Sequence, residues 1–501
     1  MVRQAQFSIF ALLHFRYLNI KNSTAAIGVL LLALFLYLLI WFRADWPAGG
    51  QDSWNHLLYA RWSTTHPELM LDQWGKPLFT IPAIPFSYFG IQGLYVFNII
   101  CVLGTAWLVY LTARRMGMRL PWMAAAFFLF QPIVFGNVIS GLTEPINALA
   151  LAGVCWFFIS GRITSGAILA SFLPFFRTEG FILLAAVLLY MIARRYWKQL
   201  PYLLSGSLFF TGIGAWITGK LDWLISENPY FKFEKEGTFD PGHGDLLHYV
   251  HNQRHITGIV VGFLLVVALL LLAAHIVYLL NRRTPEEKSR FSFWLLAPMF
   301  LAFFSAHSYV WWTGSMGSHG LLRVFMVVAP AAALLAQYAL DRILSFDIRF
   351  LNKALPLLLL ALSITLAYQG NTMPPFWSKT PSQPGYPAEA NIEKALTWIQ
   401  QQGLEDKVVV HQLPFLNAQM NWDAWAKPED AKTFYLWSLD KRAGKDWLPD
   451  SCVVLWDGFH AVRDAAMPLD SMRAQKAYKE VAHFPQADSI YEVRIFLKSL
   501  K

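Results

Sequence analysis

Four ionisable side chains stand out in a chain that is otherwise apolar: Asp52, Lys76, Arg177 and Arg323. Asp52 lies in the polar stretch Gln51-Asp52-Ser53-Trp54-Asn55-His56, which continues through Arg61, His66 and Asp72 to the turn Trp74-Gly75-Lys76-Pro77-Leu78. A carboxylate can take a proton from a hydroxyl group, while Lys and Arg can hold a phosphate, the first as a point charge and the second as a bidentate fork. These residue types suit a transfer in which an acceptor is deprotonated and a phosphate departs.

Each has a plainer alternative. Asp52 followed by Ser-Trp-Asn is good helix N-capping chemistry. Lys76 before Pro77 suits a lysine snorkelling at a membrane boundary. Arg323 opens an apolar helix, where it could serve as an interfacial anchor, and Arg177 with Glu179 reads most simply as an ion pair satisfying itself inside the protein. Glu144, near a helix start, is favoured there by the helix dipole alone. His56 and Glu179 join Glu144 as candidates for the substrate cavity. So do His248 and His251 in a second polar stretch, and His307 and His319 around Trp311-Trp312. On a helix from Asp245 to Arg254, His248, His251 and His255 would share one face and could bind a divalent metal or a phosphate, but no zinc signature accompanies them. A histidine-rich interfacial helix explains them as well, so no metal ligand is assigned.

The elements that must position these groups follow from composition. Of 501 residues, 56% are hydrophobic and 15% charged, which is too apolar for an ordinary soluble chain. The apolar residues form about eleven runs of the length that crosses ~30 Å of hydrocarbon. They lie near 25–42, 92–112, 121–138, 145–160, 163–178, 180–193, 200–219, 256–280, 291–309, 321–340 and 354–370. The runs from Gly166 to Phe176 and from Phe181 to Ile192 are short and meet at Arg177 and Glu179, as a helix pair meeting inside the membrane would. The net charge of +9 could suggest nucleic acid, but its Lys and Arg residues cluster at the ends of apolar runs, which excludes that reading. Arg114, Arg115 and Arg119 mark one inner loop; Arg194, Arg195 and Lys198 a second; Arg282, Arg283, Lys288 and Arg290 a third; Arg342, Arg349 and Lys353 a fourth. The N-terminus is then cytoplasmic, and the long loops 43–91 and 220–255 lie outside. The first run reads as a retained helix of a multi-pass protein of the plasma membrane, bacterial inner membrane by expectation.

Residues 1–370 thus form a transmembrane domain. Residues 371–387, with five prolines, read as an extended linker. Residues 388–501 read as a small extracytoplasmic α/β domain: a helix Ala388–Gln402, a strand Val408–His411, a helix near Pro428–Lys441, a strand Cys452–Trp456, a helix near Leu469–Val481 and a strand Tyr491–Leu497. Trp456, Asp457 and His460 are read as structural. Cys101, Cys155 and Cys452 suggest neither a disulfide nor a metal site.

The first polar loop resembles that of the GT-C glycosyltransferases, polytopic enzymes such as the protein mannosyltransferases and the lipid A aminoarabinose transferases. The resemblance extends to Ser140-Gly141-Leu142-Thr143-Glu144-Pro145, Arg177-Thr178-Glu179-Gly180, Gly320-Leu321-Leu322-Arg323 and the soluble domain after the last helix. It covers nearly the whole chain through short motifs. It implies a mainly α membrane protein of GT-C type, a polyprenyl-phosphate sugar donor and a glycan, lipid or protein acceptor. It also implies transfer with inversion at the anomeric carbon. In that setting Asp52 would be the base, and Lys76, Arg177 and Arg323 would face the donor phosphate. Several relatives carry two acids side by side in the first loop, or Asp-x-Asp; here Ser53 follows Asp52, so an acid-pair metal site lacks its second ligand.

A transporter or lipid-linked glycan flippase would also be polytopic with intramembrane charges, and a glycan polymerase would share the placement of the outer loops but gives no reason for the Asp52-to-Lys76 arrangement. Paired halves with matching interruptions, the usual mark of transporters, are missing from the sequence.

Overall fold

The computed structural model describes residues 2–44, 46–226, 242–281, 293–316, 318–346, 348–368, 388–436 and 451–498. The expected linker 371–387 lies outside the described residues.

The membrane part begins with α1 (Val2–Arg43), α2 (Gln51–Trp62), α3 (Pro77–Ser87), α4 (Gly90–Arg115), α5 (Pro121–Leu129) and α6 (Pro132–Asn137). It continues with α7 (Glu144–Ile159), α8 (Ile163–Ser171), α9 (Leu173–Phe176), α10 (Gly180–Ala193) and α11 (Ser205–Thr218). The long late helices are Gly258–Asn281, Phe293–Thr313, Ala329–Leu344 and Arg349–Tyr368. Among the described residues, six helical segments are long and apolar enough to cross a membrane: Lys21–Phe42, Gly90–Arg115, Trp197–Thr218, Gly258–His275, Trp294–Thr313 and Leu322–Leu344. Shorter apolar helices, such as Glu144–Ile159 and Gly180–Ala193, pack between them. This is a multi-pass integral membrane protein.

Proline decides where several runs break. The apolar run 121–138 is not one helix: it stops at Leu129 and restarts at Pro132, which has no amide hydrogen to donate and whose ring crowds the preceding turn. Pro77, Pro121 and Pro145 stand in the first turns of their helices, where a missing N–H is harmless.

The core between the helices is built from interlocking small and aromatic residues: Ala124 to Leu129, Phe135 and Val324 to Ala336 are almost fully buried. Two of its polar side chains reach across to backbone carbonyls. Tyr37 donates its hydroxyl hydrogen to the Leu129 carbonyl at 2.9 Å, and Gln131 Nε2 donates to the Ala329 carbonyl at 3.0 Å. Gly180 allows α10 to start against α9, since a Cβ there would lie 2.2 Å from the Leu173 carbonyl carbon.

The C-terminal unit is a five-stranded sheet in the order β2-β1-β3-β5-β4, from β1 (Val409–His411), β2 (Thr433–Tyr435), β3 (Val453–Asp457), β4 (Tyr478–Phe484) and β5 (Val493–Lys498). β1 runs parallel to β2 and β3, and β5 runs antiparallel to β3 and β4. Helix Glu389–Gln401 buries Ile392, Ala395 and Ile399, one face at helical spacing.

Two helices expected here are corrected. Near 428–441 the described residues form strand β2, because Thr433-Phe434-Tyr435 pair with β1; residues 437–441 lie outside the described residues. The expected helix Leu469–Val481 ends at Ala474, and β4 follows it. Pairing with β5 overrides the local pattern, reinforced by Arg494 of β5 contacting Glu480 of β4 across the strands.

Candidate active site

α2 starts at Gln51, after Gly50 in a left-handed conformation (φ 60°), and has no side-chain cap. Asp52 is therefore inside the first turn and does not cap the helix. Its carboxylate instead forms an ion pair with Arg323, which also points Nη1 at the Gly49 carbonyl at 3.4 Å. Although desolvation opposes it, the Arg323 guanidinium holds the Asp52 carboxyl below the usual carboxylate range, aided by His56 and Arg463. The Asp52 side chain remains 40% exposed, whereas Arg323 is 16% exposed. The acid is thus the more accessible member of the pair.

Behind this pair lies a second layer of charge. Glu144, at the first position of α7 and 1% exposed, is 2.8 Å from Arg177 Nη1 and 3.5 Å from Arg323 Nε. Arg177 also binds Glu179 at 2.7 Å and Thr143 Oγ1 at 2.8 Å. One buried carboxylate therefore bridges two guanidinium groups. The expectation that Arg177 pairs with Glu179 is met, and Glu144 joins that pair to Arg323.

Lys76 reaches the same region from the first loop. An Asx turn, in which Asp72 Oδ1 accepts from the Trp74 and Gly75 amides at 2.8 and 2.6 Å, places Lys76 in a left-handed conformation (φ 68°) before α3. From there its Nζ donates to Thr178 Oγ1 at 2.7 Å, between Arg177 and Glu179. Burial brings the Lys76 ammonium down to about 8, with Glu179 acting to raise it. Gln73, Lys76, Thr178, Phe175, Phe181 and Trp223 line a pocket with one cationic end and apolar walls.

His56 stacks on Trp74, ring centroids 4.6 Å apart, and touches Phe79. Burial pushes its imidazole down to about 3 despite Asp52, so it is neutral at pH 7. His307 is buried against Phe303 and Phe325.

The second polar stretch is not one helix. It breaks at Asn252 into His248–His251 and Gln253–Ile256, so the shared histidine face expected over 245–254 does not form. His248 Nε2 lies 3.0 Å from the Gly320 carbonyl oxygen, while the largely exposed His251 pairs with Asp245 at 3.2 Å. Among the described residues, no group of three His, Cys, Asp or Glu could hold a metal ion. His319, left-handed at φ 52°, leads with Gly320 into the segment bearing Arg323. The described parts of both long loops thus reach the Arg323 segment, one through Asp52 and the other through His248.

Sequence reasoning passed over Thr143 and Thr178, although each adjoins a singled-out acid, and Trp74, which stood inside a quoted motif. It also missed the stretch 415–425 of the C-terminal unit, where no charge pattern marks contact with α2.

No protein-family model matches this sequence, and neither does any curated protein sequence. Among solved structures, the chain is similar to ArnT from Cupriavidus metallidurans bound to undecaprenyl phosphate, with 13% identity and a TM-score of 0.57 over 94% of this chain and 97% of that one. It is also similar to the apo state of the same protein, with 14% identity and a TM-score of 0.55 over 94% and 98% of the two chains. A likeness running through both the membrane helices and the C-terminal sheet identifies the architecture: the chain has an ArnT-like fold.

Proposed function

We propose that this protein is a membrane glycosyltransferase that moves a sugar from a polyprenyl-phosphate donor to a hydroxyl-bearing acceptor outside the cytoplasm, with inversion. The observation that carries the reading is the convergence of Asp52, Lys76, Arg177 and Arg323 on one site from four separate segments. The similar ArnT structure with bound undecaprenyl phosphate supports a lipid-linked donor.

In this reading Lys76 and Arg323 face the donor phosphate, with Arg177 behind them held by Glu144 and Glu179. Asp52 takes the acceptor proton as the hydroxyl oxygen bonds to the anomeric carbon, and the bond from that carbon to the phosphate oxygen breaks. The polyprenyl phosphate leaves with the bonding electrons, its charge offset by the cations. Arg323 gives the step an order. While paired with Arg323, Asp52 is a weak base; an arriving phosphate competes for the guanidinium and leaves the carboxylate more basic. His56, buried and neutral, and Trp74 shape the wall beside the acid.

The reading is tested by incubating the purified protein with a panel of polyprenyl-phosphate sugars and candidate acceptors and measuring released polyprenyl phosphate. Release with one donor, abolished in Asp52→Asn, is expected. Failure with every donor would overturn it.

A further inference from the structure

The helix that carries Asp52 is gripped by the C-terminal unit. Gln51 Oε1, one residue before the acid, accepts a hydrogen bond from the Phe415 amide at 3.3 Å. The Phe415 ring packs on Trp46 at 5.3 Å, and Trp46 packs on Trp54 at 5.6 Å. Farther along, Tyr59 meets Trp425 at 5.0 Å. At the helix end, Arg61 Nη1 donates to the Ala418 carbonyl at 2.9 Å and to Asn421 Oδ1 at 3.2 Å. Beyond it, His66 Nε2 lies 2.7 Å from Asp423 Oδ2. Every partner on the C-terminal side comes from residues 415–425, just after β1.

Such a grip matters because α2 is poorly held by itself. It has twelve residues and no side-chain cap, and helices this short are marginal in isolation. Its position must come from packing. Leu57 and Leu58 are buried in one cluster that joins Phe79, Leu94 and Phe97 of the membrane part to Phe415, Leu416 and Ala418 of the C-terminal unit. The position of α2 is thus set by both parts.

We propose that the C-terminal unit is a positioning element for the transfer: residues 415–425 hold α2, and with it the Asp52 carboxylate, in line with the acceptor, and Arg61 is the positioning residue of that clamp. The proposal rests on the transferase reading above. Arg61 is nine residues from Asp52, about 14 Å along the helix axis, so it acts on the acid through the helix. A misplacement of ~1 Å at a reacting group can lower a rate by about two orders of magnitude.

The test uses the full-length protein. Arg61→Met removes both hydrogen bonds but keeps the stem, Arg61→Lys supplies one nitrogen that can reach the same oxygens, and Asn421→Gly on the surface removes only the longer bond, since glycine accepts the left-handed backbone at that position (φ 53°). Three quantities are read: kcat for sugar transfer, affinity for polyprenyl phosphate alone, and amide exchange across Gln51–Trp62. Arg61→Met should lower kcat about tenfold or more at unchanged lipid affinity and speed exchange in α2; Lys should restore most of both, and Asn421→Gly should fall between. The proposal is overturned if Arg61→Met leaves kcat and exchange at parental values, or if lipid affinity falls in proportion to kcat. Should Arg61→Met not fold, Asn421→Gly decides by the same criteria. If the parent protein transfers no sugar, the transferase reading fails, while the exchange rates still decide whether the clamp holds α2.

Discussion

Arg323 and Asp52 meet as an ion pair although 271 residues separate them in the chain. The pair joins the first polar loop to the start of a late membrane helix, and Glu144 connects it to Arg177. Its consequences can be measured.

Asp52→Asn keeps the shape of the side chain and a hydrogen bond to Arg323 but cannot take a proton. Transfer should fall by about two orders of magnitude or more while polyprenyl-phosphate binding persists. Because Arg323 holds the parental carboxyl below its ordinary range, the acid limb of the transfer profile should lie below that of an ordinary aspartate in the free enzyme. A variant transferring at the parental rate would remove Asp52 as the base.

Lys76 carries charge only below its depressed value of about 8. Affinity for polyprenyl phosphate should therefore weaken as the pH rises through that region, since the neutral amine no longer attracts the anion. Lys76→Met should lower affinity about tenfold at pH 7, the worth of one charge-assisted contact. Lys76→Arg should retain binding and lose the alkaline decline, because guanidinium stays charged. Equilibrium binding across pH 6 to about 10 checks both.

Arg177→Met would leave Glu144 nearly buried with its 2.8 Å partner gone. Breaking a buried pair from one side costs about 3 kcal/mol or more, so the thermal unfolding midpoint in detergent should drop. Combining it with Glu144→Gln should recover part of the loss. A double variant less stable than the sum of the single effects would contradict the bridging arrangement.

Orientation is open to direct labelling. The described cysteines Cys101, Cys155 and Cys452 are all buried, which keeps the background low. Thr65 and Lys198 are exposed. A membrane-impermeant thiol reagent should modify Thr65→Cys from outside and Lys198→Cys only from the cytoplasmic side. The reverse pattern would invert the topology.

The membrane class, the first polar loop and each ionisable residue of the site were legible in the sequence, since a charge in an apolar chain is conspicuous. Pairing was less so. Arg177 and Glu179 are neighbours and could be matched by eye, but nothing near Asp52 points to Arg323, and Glu144 looked like a dipole partner for its own helix. The C-terminal unit misled in two places, where strands β2 and β4 lie under patterns that read as helical. Strand pairing is a long-range interaction, and short segments take the conformation their neighbours complete.

By itself, then, the sequence determined that this chain lives in a membrane and that a few charges must be sheltered there, because hydrocarbon excludes polar groups and so makes apolar length and isolated charge readable locally. Only the tertiary structure decided that Asp52 turns to Arg323 instead of capping its helix, that Glu144 ties two arginines together, that the histidines of the second loop separate at Asn252, and that residues 415–425 close over α2. Those outcomes depend on which surfaces meet after the helices pack. A buried charge requires a partner, and sequence alone does not say from which distant segment that partner comes.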